Sequence, residues 1–236
     1  MTLLPIALAM AFQTQQPQPQ PAPPPLQAES PASRSLSPAH DLYFEDSAPL
    51  STDARLAAQD FGACVADSSS LDARAVLSLD FASPAYDRGL RRLVSISESC
   101  ARRRGSMRSG RLLVAGAIAE RLIEREDEPL NLRLARAALR PATPAFSAAD
   151  RAAICVVRSV PDEVSSLFAA EVAGDAESAV AESLEKVMAA CSGDSQAIDA
   201  TPATLRAILA TAAFRELRTE AARIVPTSNP ASEASQ

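Results

Sequence analysis

Apolar residues recur along the middle of the chain at the three- and four-residue spacing of amphipathic helices. Val180, Leu184, Val187, Met188 and Cys191 fall at i, i+4, i+7, i+8 and i+11. This spacing predicts a helix with one stripe facing a core. Aromatic residues make up only 4% of the chain, whereas strands favour aromatic and β-branched residues and Ala favours helix. We therefore predict an all-α protein.

The four cysteines indicate an internal duplication. Cys64 and Cys100 are 36 positions apart, and so are Cys155 and Cys191. A shift of 91 positions lays the first pair on the second, and the apolar positions around the cysteines then match as well. Periodicity of this kind is typical of tandem structural units.

The alignment continues into a closing helix after a small insertion. Beyond the second cysteine of each pair the offset grows to 95, so that RLLVAGAIAERL lies over RAILATAAFREL. Arg111 then aligns with Arg206, and Leu122 aligns with Leu217. The extra residues fall in the loop after Cys191, where insertions are tolerated. We predict two tandem four-helix modules.

Capping residues and prolines indicate where the helices begin. Ser147 followed by Asp150 has the spacing of a capping box. Ser83 precedes Pro84 as a cap precedes a first-turn proline, and Pro161 suits the first position of another helix. The first helices are predicted to begin near Ser51 and Ser147, the second to cover residues 71–81 and 161–172, and the fourth to cover residues 110–125 and 202–223.

The predicted modules occupy residues 49–128 and 146–224, with a linker and a short helix between them at 129–145. Ten of the 18 prolines precede residue 50. Because such a segment buries too little apolar surface to fold, we predict a disordered Pro/Gln-rich spacer before the first module and a disordered polar tail after the second. These two segments are residues 12–48 and 225–236.

The N-terminus has the features of a secretory signal. Residues 3–12 are apolar and end near Ala9-Met10-Ala11, which resembles a signal-peptidase site. This run is too short to span a bilayer, so no transmembrane segment is predicted. We expect residues 1–11 to be a signal peptide and the protein to be periplasmic or secreted; without a functional signal it would be cytoplasmic.

In an exported protein an even number of cysteines predicts disulfides. Three pairings are possible, and the duplication favours Cys64–Cys100 and Cys155–Cys191, one bridge in each module. A metal site would need close-set ligands. A cysteine nucleophile would need a base, but the single histidine, His40, lies in the Pro-rich segment. Free buried thiols are the alternative for a protein that is not exported.

The sequence contains no complete catalytic motif. It has no P-loop, GxGxxG, HExxH or GxSxG pattern. Ser183 and Lys186 match S-x-x-K, but Lys186 is the single lysine, so the K-T-G motif of that enzyme class is impossible. The acidic run at residues 124–128 is typical of a solvated helix end. No catalytic residue, metal ligand or cofactor is predicted.

Charge is distributed unequally between the modules. Residues 51–128 hold 12 basic and 12 acidic residues, whereas residues 144–224 hold 7 and 12. The overall charge of −6 does not suit a nucleic-acid partner. A local arginine cluster is a candidate surface for an anionic envelope component or an acidic protein, although divergent solvated surfaces would give the same pattern. The cluster comprises Arg88, Arg91, Arg92, Arg102, Arg103, Arg104, Arg108 and Arg111.

These features together resemble a group of uncharacterised exported bacterial proteins. Those proteins carry tandem helical modules with C-x35-C-like cysteine spacing and a closing helix rich in Ala and Leu. The resemblance covers about residues 51–222 and implies export and a helical fold, but no activity or site. A further resemblance in kind is to small disulfide-clasped periplasmic chaperones of acid stress.

The sequence favours a non-catalytic binding or scaffolding module of the cell envelope. Helical repeats, the lack of a catalytic motif and the arginine cluster motivate this expectation. The alternatives are a chaperone-like or inhibitory protein, and an enzyme with a site of carboxylates and arginines in the groove between the modules.

Overall fold

The structure is a computed structural model that describes residues 50–101, 110–193 and 200–224. The regular elements of these ranges are all helices, which confirms the predicted fold class. The predicted signal, spacer and tail lie outside the described residues, as does His40. In chain order the helices are α1 (Thr52–Ser68), α2 (Ser70–Leu77), α3 (Pro84–Ile96), α4 (Glu98–Ala101), α5 (Arg111–Glu124), α6 (Leu130–Ala138), α7 (Ala148–Ser159), α8 (Pro161–Ala169), α9 (Asp175–Ser192) and α10 (Pro202–Ile224).

Predicted caps are present at two of the helix starts. The hydroxyl of Ser83 accepts a hydrogen bond from the Tyr86 amide at 3.2 Å. The hydroxyl of Ser147 accepts from the Asp150 amide at 3.0 Å, and the Asp150 carboxylate accepts from the Phe146 amide at 2.8 Å. These bonds satisfy donors that a helix start leaves unpaired.

The second helix of each half ends earlier than predicted, at Leu77 and Ala169. In the first half the carboxylate of Asp80 accepts a hydrogen bond from the Ala82 amide at 2.8 Å and thereby closes a turn. In the second half Ala173 has a φ of 64°, which is incompatible with a right-handed helix. At these positions a turn ends the helix, although the apolar pattern of the sequence continues.

The third helix of the first half is broken, although the sequence predicts that it carries Cys100. α3 ends at Ile96, and Cys100 lies in the short α4. The Ser97 amide bonds to the Val94 carbonyl, three residues back rather than four. The matching α9 runs unbroken through Cys191.

Buried positions recur at the offset of 91. In each half the second helix buries apolar residues at matching positions, and the third helix buries a leucine. The matched buried pairs include Ala73 with Val164, Leu77 with Phe168, and Leu93 with Leu184.

One ion pair recurs with its charges exchanged. In the first half Arg121 donates to Asp67 at 3.0 Å. In the second half Arg158 donates to Glu216 at 2.7 Å. The offsets of 91 and 95 match Asp67 with Arg158 and Arg121 with Glu216. The two halves therefore share the contact but not the sign of each partner.

Both predicted disulfides are present. Cys64 bonds to Cys100 and Cys155 bonds to Cys191, each with a Cα–Cα distance of 5.8 Å. Disulfides persist in oxidising compartments and are rare in the cytosol. Two of them indicate a non-reducing compartment, and the alternative of free thiols is wrong for this structure.

The two halves share one core through α5. This helix packs against α1 and against α10, and glycines lie at both crossings. A Cβ at Gly62 would lie 2.3 Å from the Ala117 Cβ, and a Cβ at Gly116 would lie 2.5 Å from the Ala207 Cα. The described helices belong to one compact unit, and α6 lies in the segment predicted as the linker.

Candidate functional site

A buried ion-pair cluster lies where α5, α9 and α10 meet. The Arg206 guanidinium donates to Glu120 at 3.0 Å and to Glu177 at 3.1 Å. Arg55 of α1 donates to the other carboxylate oxygen of Glu177 at 2.5 Å. Two cations and two carboxylates balance each other, so this cluster, which we call the closed cluster, is electrically neutral.

The closed cluster also holds the turn between α8 and α9. Arg206 donates to the carbonyls of Phe168 and Ala170 at 3.1 and 3.0 Å. The Glu177 carboxylate accepts from the Ala173 amide at 2.9 Å, which supports the left-handed backbone at that residue. Because the charged groups are paired with one another, the cluster is suited to joining helices rather than to acid–base chemistry.

A small pocket, partly open to solvent and with a cavity volume of about 40 Å³, lies at the matching place in the first half. Its walls are mostly apolar, and four polar side chains with N–H or O–H donors reach it from α3, α5 and α10. The lining residues are Leu77, Leu79, Phe81, Tyr86, Arg111, Leu112, Thr211 and Arg215. We call this the open pocket.

Both arginines of the open pocket are held by carboxylates. Arg111 donates to Asp87, and Arg215 donates to the buried Asp150. The Cζ atom of Arg215 also lies 4.7 Å from the centre of the Phe146 ring. These contacts orient the two guanidinium groups at the edge of the pocket.

Tyr86 and Thr211 are the uncharged polar residues of the open pocket. Burial raises the pKa of the Tyr86 hydroxyl above the ordinary value, and the positive charges of Arg215 and Arg111 offset only part of that rise. The hydroxyl therefore stays protonated at neutral pH and can donate a hydrogen bond.

The predicted arginine cluster is described only in part. Arg88, Arg91 and Arg92 are exposed on α3, and Arg91 shares Asp87 with Arg111 through a 2.5 Å contact. The other members, Arg102, Arg103, Arg104 and Arg108, lie in residues 102–109, outside the described part of the chain.

Exposed apolar side chains flank the arginines of α3. Successive helical residues turn by about 100°, so the arginines lie opposite the buried Leu90 and Leu93. Val94 lies on one side of them and Ile96 on the other, with 39% and 54% of their surface exposed. We call the surface formed by Arg88, Arg91, Arg92, Val94 and Ile96 the α3 face.

The other sequence candidates occupy solvated positions. Ser183 and Lys186 are both exposed on α9, and Lys186 pairs with Glu182 at 3.4 Å. The acidic run at residues 124–128 is exposed at the end of α5. Within the described residues no group of His, Cys, Asp and Glu could hold a metal ion.

Sequence reasoning missed Tyr86 and Arg215 as candidate site residues. The duplication contained the signal, because it aligns Tyr86 with Glu177 and Arg215 with Glu120. Each alignment exchanges a carboxylate for a hydrogen-bond donor. An exchange of this kind at two buried positions indicates that the halves differ in how they satisfy the neighbouring arginine.

Comparison of the chain with family models, curated proteins and solved structures finds no significant match. No helix in the described ranges is long and apolar enough to cross a bilayer.

Proposed function

We propose that this protein is exported, to the periplasm or to the medium, and acts there as a non-catalytic binding module. Its α3 face binds the anionic headgroups of a lipid surface. The observation that carries the proposal is the exposed row of Arg88, Arg91 and Arg92 between two exposed apolar residues.

The local charge supports binding of anions at this face. Asp87 is the one acidic residue of α3, whereas α9, its counterpart in the second half, is acidic. The acidic residues of α9 are Asp175, Glu177, Glu182 and Glu185. Arginine pairs with phosphate groups through a planar fork of donors, so the charge of α3 suits phosphate headgroups in spite of the net negative charge of the chain.

The apolar residues favour a lipid surface over a soluble polyanion. Val94 and Ile96 expose aliphatic surface beside the arginines. Side chains in this arrangement can enter the boundary between headgroups and acyl chains while the cations stay at the headgroups. A soluble polymer offers no apolar phase for them.

The test is co-sedimentation of the oxidised full chain with vesicles. We expect binding to vesicles that contain phosphatidylglycerol and no binding to pure phosphatidylcholine. Each arginine near an anionic surface contributes about 1 kcal/mol, so the triple variant Arg88→Ala, Arg91→Ala, Arg92→Ala should bind roughly a hundredfold more weakly. Binding should also fall with added salt, because screening shortens the range of the attraction.

A control variant removes the same charge elsewhere. Arg136, Arg151 and Arg218 are exposed and lie outside the α3 face, so replacing all three by Ala should leave vesicle binding close to wild type. Equal loss in both triple variants would mean that net charge alone governs binding. Preference for soluble polyphosphate over the vesicles would overturn the choice of a lipid surface.

A further inference from the structure

The third helices of the two halves, α3 and α9, expose surfaces of opposite charge. At the offset of 91, Arg91 of α3 matches Glu182 of α9. The exposed charges of α3 are basic, whereas those of α9 are mostly acidic. We call the exposed surface of α9 the α9 face, which comprises Asp175, Ala176, Ala179, Glu182, Ser183, Glu185, Lys186 and Ala190.

Two arginines of the α3 face have charge available for another molecule. Asp87 holds Arg91 and Arg111. Arg88 and Arg92 take part in no ion pair within the described part of the chain. Both side chains are exposed, so they can reach carboxylates of a second molecule.

Two carboxylates of the α9 face are available in the same way. Lys186 pairs with Glu182 at 3.4 Å. Asp175 and Glu185 are exposed and take part in no ion pair among the residues that the structure describes. Since Lys186 is the one basic residue of α9, the α9 face is acidic overall.

The two faces also complement each other in shape. At the offset of 91, Arg88 and Arg92 match Ala179 and Ser183. The α3 face therefore has long side chains where the α9 face has small ones. Ala179 and Ser183 form a shallow strip, with Glu182 beside them on the same exposed surface, and long arginine side chains can lie along such a strip.

The spacing of the charges is similar on the two faces. At 1.5 Å per residue, Arg88 and Arg92 are about 6 Å apart along the helix axis, and Glu182 and Glu185 are about 4.5 Å apart. Arginine and glutamate side chains are flexible enough to cover the difference, so both arginines can meet a carboxylate at once.

We propose that the α9 face of one molecule docks against the α3 face of a second copy. Arg88 and Arg92 of one copy pair with Glu182 and Glu185 of the next. Contacts between two α3 faces or two α9 faces are disfavoured, because they place like charges opposite each other.

The contact joins two different surfaces, so it is a head-to-tail contact. Each added copy leaves an α3 face free at one end of the assembly and an α9 face free at the other. Contacts of this kind build open chains, or rings where the rotation closes. The inference goes beyond the proposed function, because the α9 face takes no part in lipid binding. At the α3 face a second copy and a lipid surface exclude each other.

The experiment is sedimentation equilibrium of the oxidised full chain without lipid. Exposed ion pairs and a small contact give weak association, so concentrations up to about 1 mM are needed. At about 0.02 M salt, where the screening length is about 20 Å, we expect the average mass to rise with protein concentration. At about 0.5 M salt it should return to the mass of one chain, because the exposed charges are then screened.

Charge reversal on each face tests the assignment. The α3 variant Arg88→Glu, Arg92→Glu and the α9 variant Glu182→Arg, Glu185→Arg should each associate at least about tenfold more weakly than wild type, because like charges then face each other. An equimolar mixture of the two variants should associate again, since every basic face then finds an acidic face on the other variant.

A matched control reverses two carboxylates elsewhere. Asp127, which follows α5, and Glu163 of α8 are both exposed. The variant Asp127→Arg, Glu163→Arg has the same net charge as the α9 variant and should associate as wild type does. Circular dichroism checks that every variant is folded.

Four results would each overturn the inference. They are a wild type that remains a single chain at about 1 mM and low salt, undiminished association of either folded reversal variant, a mixture of the two that stays dissociated, and an equal loss in the control variant. The proposed function is tested separately, because the α9 variant keeps the α3 face and should still bind phosphatidylglycerol vesicles. Wild-type protein that binds the vesicles but never self-associates would overturn this inference alone.

Discussion

Adjacent charged residues of α5 differ in whether they are buried or exposed to solvent. Glu120 is only 2% exposed and has Arg206 as its partner, whereas the neighbouring Arg121 is solvent-accessible and pairs with Asp67 on the surface. Removing one partner of a buried pair leaves an uncompensated charge out of water. Removing one partner of an exposed pair leaves a charge that water can solvate.

We therefore expect adjacent residues of α5 to differ strongly in their effect on stability. Glu120→Ala should lower the free energy of unfolding by about 3–5 kcal/mol, and Arg121→Ala should lower it by about 1 kcal/mol or less. Urea denaturation of the oxidised proteins, followed by circular dichroism, measures both values. Equal losses would contradict the assignment of Glu120 to a buried ion pair.

Among the elements, α5 has the closest packing. Its Ala- and Gly-rich sequence allows α1 and α10 to approach on two sides. At Gly116 the obstructing atoms include the backbone of Ala207, which cannot move without shifting α10. At Gly89 of α3 the nearest atoms belong to the side chain of Val76. The two glycines thus lie in helices but face different obstacles.

Substitution of these glycines separates packing from helix propensity. Ala is favoured over Gly in a helix by about 1 kcal/mol. We expect Gly116→Ala to destabilise the protein by about 1–3 kcal/mol in spite of this gain, because overpacking moves a helix. Gly89→Ala should cost less than Gly116→Ala, because its new Cβ would lie 2.8 Å from a methyl group of Val76 rather than against backbone. Thermal unfolding of both variants checks the prediction, and a neutral Gly116→Ala would show that α5 and α10 are less tightly packed.

The described helices form one compact unit although their sequence is a tandem duplication. The apolar core is a single cluster with members from both halves, including Ile118 of α5 and Leu209 of α10. Each disulfide lies within one half, so no covalent bond apart from the chain joins the halves. Non-covalent packing of α5 on α10 must hold them together.

Cleavage of the linker should therefore leave the protein assembled. Pro141 and Ala142 are exposed between α6 and α7, and a protease site inserted there can be cut in the folded protein. We expect the two fragments to elute together in gel filtration and to separate only in denaturant. Elution as two separate folded fragments would mean that each half is an independent domain.

The features that were predictable from sequence depend on local spacing. Helix periodicity and capping depend on residues within a few positions of each other, so the stripe ending at Cys191 and the cap at Ser147 were predictable. The equal spacing of the cysteines predicted both disulfides, because a duplicated fold repeats its contacts. The break after Ile96 was not predicted, and the structure shows it as a hydrogen bond from the Ser97 amide to the Val94 carbonyl, three residues back.

The sequence by itself determined the all-α fold class, the duplication, the disulfide pairs and the arginines of α3, since each is a pattern of residue types at regular spacing. Only the tertiary structure decided that α5 and α10 cross at Gly116, that Glu120 reaches Arg206 across 86 positions, and that Tyr86 and Arg215 line one pocket. These contacts join residues far apart in the chain, and no local pattern determines the distance between them. The physical reason is that tertiary packing of the helices brings distant residues together. The helix propensity of a segment does not determine which buried charge meets a partner and which side chain lines a cavity.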